Sequence, residues 1–134
     1  EVSEKNIDVN NDLTQKNKFA CNDWSVFRRT TFDYISFINS SIFTKFLEDL
    51  TGFKGVTSDP ILEGAGIHST SRGGFLKMHT DFNYQSYLKL SRRINSLLFL
   101  NKDWDKTMKG ELIVGPKNMK NCKYIFHKYI HLLT

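Results

Sequence analysis

Cysteine and proline are scarce in this sequence, with two of each in 134 residues. Cys21 and Cys122 lie far apart and form no CxxC pair, which excludes a zinc ribbon and a thioredoxin-type site. No run of about 18 apolar residues is present, so we expect no membrane partner. The first residues also lack a basic-then-apolar secretory signal, which favours a cytoplasmic protein with reduced thiols.

Acidic residues are also in deficit, and the formal net charge is +5. A nucleic-acid-binding protein of this charge would concentrate its basic residues in one patch, with aromatic residues between them. Here the basic residues are scattered, with adjacent pairs at Arg28-Arg29 and Arg92-Arg93. We therefore expect a mildly basic surface that keeps the protein soluble, and we disfavour nucleic acid as a partner.

What the chain does contain is enough apolar and aromatic residues, 40% and 13% of the total, to build one core. Residues 1–17 are polar and predict a mobile lead-in. Residues 18–134 predict a single domain, since this length supports one core.

A helical pattern follows the lead-in. From Thr31 to Leu50 the apolar residues recur at spacings of three and four, which predicts amphipathic helix with a break near Ser40. Ser40 or Ser41 would cap the second helix, and Gly52 would end it.

Glycines and short apolar runs after Gly52 are typical of strands. Ile61–Thr70 and Phe75–Phe82 predict the two strands of a hairpin that turns at Ser71–Gly74. Further segments are predicted as a strand at Arg93–Asn101, a strand at Glu111–Val114, and a strand or helix at Lys123–Leu133. A helix pair followed by short strands predicts an α+β fold, with helices packed on one face of a curled sheet.

The segment that carries chemistry is the predicted strand containing His79 and Asp81. Residues two apart in a strand share one face, so an imidazole nitrogen and a carboxylate oxygen would point at one place. These are two of the three ligands in the 2-His-1-carboxylate arrangement that holds non-haem Fe(II). The alternative is a surface strand that carries two polar residues.

The wider context of His79 and Asp81 carries a family resemblance. The matching segments, in chain order, are Leu50–Gly52, Asp59–Pro60, Leu62–His68, Gly73–Phe82, Arg92–Asn95, Leu98–Trp104 and Gly110–Leu112. From about Phe19 to Lys123 the chain resembles the Fe(II)/2-oxoglutarate oxygenases of the prolyl 4-hydroxylase type.

The resemblance implies a double-stranded β-helix, or jelly-roll, core with N-terminal supporting helices. It implies that His79 and Asp81 are iron ligands. It also implies that 2-oxoglutarate and O2 are consumed, that succinate and CO2 are released, and that a protein, peptide or small-molecule substrate is hydroxylated. Ascorbate is often the reductant in this family.

The match stops after Lys123. The family's second iron-binding His, and the Lys or Arg that anchors 2-oxoglutarate, would fall beyond Thr134, so we expect a C-terminally truncated domain without its last strands. His127 and His131 are candidates for a substitute third ligand. Alternatively, both fill a terminal core strand, and the chain is a catalytically inactive remnant that acts as a jelly-roll binding module.

Three further residues are candidates for the pocket: His68, Lys77 and Arg93. Arg92 and Arg93 open a predicted strand, so one would face inward and the other outward, and either would pair with an acidic ligand. The alternative for both is a solvated strand end. Substrate identity is not encoded in these residues, because substrate choice depends on loops that vary on a shared fold.

Overall fold

In a computed structural model of the chain, residues 8–10, 14–116, 118–126 and 130–133 are described. They belong to two compact units, residues 1–77 and residues 78–134. The first unit contains β1 (Asp8–Asn10), β2 (Gln15–Cys21), α1 (Arg29–Ile38), α2 (Ser41–Thr51) and β3 (Ile67–Leu76). The second contains β4 (Tyr84–Gln85), β5 (Leu90–Ser91), β6 (Asn95–Leu98), β7 (Leu112–Val114), β8 (Lys123–Ile125) and β9 (Ile130–Leu133).

Neither α1 nor α2 approaches the length of a membrane-crossing helix, and within the described residues no apolar helix of that length occurs. The N-terminal polar stretch contributes β1 and the start of β2, which pair antiparallel. The single-domain organisation over residues 18–134 stays a prediction.

The predicted helical region is confirmed, including its break. The Ser40 hydroxyl accepts a hydrogen bond from the backbone N–H of Phe43 at 3.3 Å, as an N-cap does. At the other end Gly52 has a φ of +78°, a left-handed conformation that suits glycine, and its N–H donates to the carbonyl of Glu48 at 2.9 Å.

The first unit has a small hydrophobic core at the base of α1. It is formed by Cys21, Phe27, Ile35 and Leu62, all buried. Trp24 packs against this cluster, and its indole N–H donates to the carbonyl of Pro60 at 2.8 Å. This bond connects the loop before Leu62 to the turn that precedes α1, and Leu62 itself is buried in the core.

The hairpin predicted around residues 71–74 is wrong. Those residues lie inside β3, which pairs antiparallel with β2 on both sides of them. Lys16 is opposite Phe75 and Lys18 is opposite Thr70, so the intervening residues of β3 bulge out of the pairing. The glycines widen the strand rather than reverse it, because β2 offers a partner on which β3 continues.

The second unit consists of short antiparallel pairs, β4 with β5, β6 with β9 and β7 with β8. β6 and β7 confirm the strands predicted in these two regions, although β6 is shorter than expected. β8 and β9 show that the C-terminal segment, predicted as strand or helix, forms strands. Helices and small antiparallel sheets together are consistent with the expected α+β class, and no closure into a jelly roll is seen in the described residues.

Candidate metal centre

His79 and Asp81 lie in the irregular segment that follows β3. The prediction of a strand through Phe82 is wrong, because β3 ends at Leu76 and its partner β2 begins opposite that residue. The two side chains nevertheless meet: Nε2 of His79 lies 3.3 Å from Oδ1 of Asp81. Their side chains are 50% and 40% exposed, so the pair is open to solvent and to incoming ligands.

The separation of these two atoms fits a shared metal ion. With metal–ligand distances of about 2.0–2.2 Å, two donors on one ion lie about 3.0–3.5 Å apart. The 3.3 Å between Nε2 of His79 and Oδ1 of Asp81 falls in this range, and it is also the distance of an ordinary His–Asp ion pair. Imidazole nitrogen with carboxylate oxygen also suits Fe(II). Within the described part of the chain, no cluster of three or more His, Cys, Asp or Glu side chains able to hold a metal is found.

The second carboxylate oxygen of Asp81 has different partners. Oδ2 accepts a hydrogen bond from Nδ2 of Asn95 at 2.8 Å and lies 3.3 Å from Nη2 of Arg92. The two oxygens are therefore differentiated: Oδ1 is beside His79, and Oδ2 is beside an amide and a guanidinium.

Arg92 and Asn95 are themselves joined. Nε of Arg92 donates to Oδ1 of Asn95 at 2.8 Å, and Nη2 of Arg92 donates to the same oxygen. The guanidinium carbon also lies 4.7 Å from the centre of the Phe82 ring, in a cation–π arrangement. With a side chain 22% exposed, Arg92 is the least accessible charged member of this group.

This surrounding sets the charge of Asp81. Partial burial raises the pKa of its carboxyl group, but the hydrogen bond from Asn95 and the charges of Arg92 and His79 oppose that effect. Together, the three contacts outweigh burial, so the pKa of Asp81 lies below its ordinary value. Asp81 is thus ionised over the physiological range, which is the form that binds a cation.

A short hairpin returns the chain from Asp81 to Arg92. It is formed by β4 and β5, and the N–H of Arg92 donates to the carbonyl of Asn83 at 2.9 Å. Within the hairpin the buried Gln85 accepts a hydrogen bond from the N–H of Leu88 through its side-chain oxygen. These bonds explain how residues that are eleven to fourteen positions apart in sequence reach one carboxylate.

The remaining predicted pocket residues have other surroundings. Nε2 of His68, in β3, lies 3.4 Å from the carbonyl of Ala65, and the ammonium of Lys77 lies 5.9 Å from the Phe75 ring centre. Arg93 is exposed, and its neighbour Arg92 makes the contact with Asp81. A pocket role for His68, Lys77 and Arg93 stays a prediction.

The candidates for a third ligand, His127 and His131, lie near the C-terminal end of the sequence. His127 is outside the described residues. The backbone of His131 belongs to β9, where it pairs with Leu97 of β6. Leu97 is two residues from Asn95, so the backbone of His131 is adjacent to the strand that supplies the amide bound to Asp81.

Asn95 was not predicted from the sequence. Asn95 ends one of the segments that carry the family resemblance, but neither that resemblance nor its place at the start of an apolar strand assigns it a role. Asn95 follows Arg92 by three residues. This spacing points to the carboxylate only in the folded hairpin, which brings both residues to Asp81.

The family comparison bears on the same region. A family model described as the 2OG-Fe(II) oxygenase superfamily matches residues 65–131, half of the chain, and this match includes His79, Asp81 and Asn95. No curated protein and no solved structure gives a significant match.

Proposed function

The chain belongs to the 2OG-Fe(II) oxygenase superfamily, and from this premise we propose that it is an Fe(II)- and 2-oxoglutarate-dependent dioxygenase that hydroxylates a C–H bond. The observation that carries the proposal is the 3.3 Å approach of His79 Nε2 to Asp81 Oδ1 within the region that matches the family.

The overall reaction takes up one O2 and one 2-oxoglutarate for each C–H bond. One oxygen atom enters the substrate as a hydroxyl group, the other enters succinate, and the keto acid loses CO2. When bound, Fe(II) supplies the O2-dependent redox chemistry of this process. The residues of the chain supply binding and orientation.

Each residue has a role that follows from its contacts. His79 offers the ring nitrogen Nε2 and Asp81 offers the carboxylate oxygen Oδ1, a pair of ligand atoms that suits Fe(II). Both side chains are about half exposed, so the pair is accessible to ligands from solution. The low pKa of Asp81 keeps this donor ionised when the ion arrives.

We assign the third donor to His131 in preference to His127. The support is the register of β9 with β6, which aligns the His131 backbone with Leu97, two residues beyond Asn95. The expected result is that His131→Ala weakens Fe(II) binding markedly while His127→Ala leaves it unchanged. Equal effects of the two substitutions, or a larger effect of His127→Ala, would contradict the assignment.

The finer properties of the enzyme rest on the sequence resemblance. We propose the prolyl 4-hydroxylase type, with ascorbate as reductant and a protein, peptide or small-molecule substrate. Ascorbate is expected to extend the number of turnovers before the enzyme is inactivated. Turnover that is insensitive to ascorbate would remove it from the proposal without affecting the role of Fe(II).

The direct test is the conversion of 2-oxoglutarate to succinate. The purified chain is expected to form succinate only when Fe(II) is present, and Asp81→Ala is expected to abolish the reaction. Failure of the wild-type protein to form succinate at any Fe(II) or 2-oxoglutarate concentration would favour a second function. The domain would then be a non-catalytic binding module, folded and indifferent to Fe(II) and to His79→Ala.

A further inference from the structure

We infer that Asn95 and Arg92 are positioning residues for the metal-binding carboxylate: they hold Oδ2 of Asp81 and thereby present Oδ1 beside His79. The inference rests on the proposed function, because it concerns how the chain prepares the same site for a divalent metal ion.

The first step concerns the orientation of the Asn95 amide. Arg92 has only N–H donors, so the side-chain oxygen of Asn95 must be the atom that faces it. Both N–H groups of Arg92 that reach Asn95 end on that oxygen. The NH₂ group of Asn95 is then directed to Asp81, where it donates to Oδ2 at 2.8 Å. Arg92 thus fixes the one orientation in which Asn95 is a donor to the carboxylate.

The second step concerns the position of Arg92 itself. Its guanidinium lies over the Phe82 ring, 4.7 Å from the centre, and its backbone N–H is bonded to Asn83 at 2.9 Å. Both partners follow Asp81 directly in the chain. Arg92 is therefore held at its backbone and at its guanidinium by residues next to the carboxylate that it supports. Its low exposure strengthens these contacts.

The third step is the consequence for metal binding. With Oδ2 occupied by two donors, Asp81 has one oxygen, Oδ1, directed to the position that it shares with His79. A metal ion beside His79 would therefore be held by Asp81 through Oδ1. Without Asn95, Oδ2 keeps only the ion pair with Arg92, and the carboxylate would be held less firmly in this orientation. Supporting partners of this kind contribute about 10–100-fold to metal affinity in characterised sites.

The test uses Co(II) as the probe, with the full chain and three substitutions. Asn95→Ala removes the amide, and Arg92→Met removes the donors but keeps an unbranched apolar stem. Arg72→Met is the matched control, because it removes the same charge from an exposed arginine that is not a candidate for the pocket. Co(II) affinity is measured by calorimetry, the visible absorption of bound Co(II) reports its coordination, and thermal unfolding of the metal-free protein reports folding.

We expect Asn95→Ala to weaken Co(II) binding by about 10–100-fold and to change the Co(II) absorption spectrum, since the carboxylate is released. Arg92→Met is expected to act in the same direction with a smaller loss. Arg72→Met is expected to retain wild-type affinity and spectrum. Thermal unfolding of the metal-free variants should remain cooperative, which separates positioning from a general loss of structure.

Two results would overturn the inference and are distinguishable. If the wild-type protein binds Co(II) and Asn95→Ala matches it in affinity and spectrum, the positioning role fails while the proposed function survives. If the wild-type protein binds no Co(II), both fail together. Should Asn95→Ala not fold, Asn95→Asp replaces it, because this variant keeps the shape of the side chain. It exchanges the donor for an oxygen that repels Asp81, so unchanged affinity in that variant would also overturn the inference.

Discussion

In the described part of residues 1–77 the structure buries six hydrophobic side chains, whereas in the described part of residues 78–134 the one buried side chain is that of Gln85. The first unit has two helices, of which α2 has a side-chain N-cap, and a core that includes Ile35. The second has short strand pairs and a polar network that ends on Asp81. Buried apolar side chains stabilise the first unit, whereas hydrogen bonds and ion pairs position the side chains around Asp81 in the second.

The difference corresponds to what each unit has to do. Burial of apolar surface is non-directional and supplies most of the stability of a fold. Holding a carboxylate oxygen beside an imidazole requires direction, which hydrogen bonds and ion pairs provide. We therefore expect substitutions in the first unit to change the free energy of unfolding, and substitutions in the network of the second unit to change metal affinity.

The largest effect is expected from His79→Ala. Because this removes a proposed ligand, Fe(II) affinity should fall by more than about 100-fold, beyond the 10–100-fold typical of a supporting partner. The imidazole is half exposed, so the free energy of unfolding of the metal-free protein should change little. Metal titration together with chemical denaturation checks both. A large loss in the free energy of unfolding with unchanged Fe(II) affinity would contradict the proposed difference between the two units.

The converse experiment is Gly66→Ala in the first unit. Gly66 has a φ of +108°, and an added Cβ would lie 2.2 Å from the carbonyl oxygen of Cys21. We expect a loss of at least about 1–3 kcal/mol in the free energy of unfolding from backbone strain, with the clash adding to it. Gly55→Ala is the control, since its φ is +70° but no atom lies within 4 Å of the added Cβ. Equal losses in the two variants would show that the contact with Cys21 is unimportant.

A smaller effect is expected at the cap of α2. Ser40→Ala removes the hydroxyl that accepts from Phe43, and should cost about 1 kcal/mol in the free energy of unfolding. The adjacent Ser41→Ala lies inside the helix and lacks this capping bond, so it should be close to neutral. Metal affinity of the folded protein should be unchanged in both. A cost at Ser41 equal to that at Ser40 would contradict the cap assignment.

The smallest effect is a pH dependence in the first unit. Oε1 of Glu48 accepts from the N–H of Val56 at 2.9 Å, and this bond, which outweighs partial burial, places the pKa of Glu48 below its ordinary value. A lowered folded pKa contributes stability that is present above the unfolded pKa and is lost as the pH falls through the folded value. Glu48→Gln should therefore be less stable than wild type at neutral pH, and the gap should close below about pH 4.

Denaturant titrations across this pH range measure the gap. The exposed Glu63 provides the control, because Glu63→Gln makes the same change of charge. A gap for Glu48→Gln that persists unchanged into acid, or an equal gap for Glu63→Gln, would show that the bond to Val56 does not couple stability to this carboxyl group.

The helices could be predicted from the sequence because their signals are local. Spacing of apolar residues, Ser40 and Gly52 all act within a few residues of the helix that they define. The strand around residues 71–74 could not be predicted in the same way, because its course depends on pairing with β2, more than fifty residues earlier in the chain. The glycines alone predict a turn, whereas pairing with β2 on both sides makes residues 71–74 a bulge within β3.

The candidate site, too, could be predicted from the sequence only in part. His79 and Asp81 were predicted together, although the strand assumed to align them ends before they begin. Asn95 was missed, since its bond to Asp81 spans fourteen residues and depends on the intervening hairpin. A motif identifies the chemical groups, whereas the groups that orient them become visible only when the chain has been folded.

The central claim is that His79 and Asp81 bind Fe(II) together with 2-oxoglutarate, and its most direct test is anaerobic thermal unfolding of the wild-type protein and of Asp81→Asn. Ligands that bind only the folded state raise the unfolding midpoint as their concentration rises. We predict a midpoint that increases with Fe(II) plus 2-oxoglutarate in the wild-type protein and does not move in Asp81→Asn. No increase in the wild-type protein, or an equal increase in both proteins, would contradict the account.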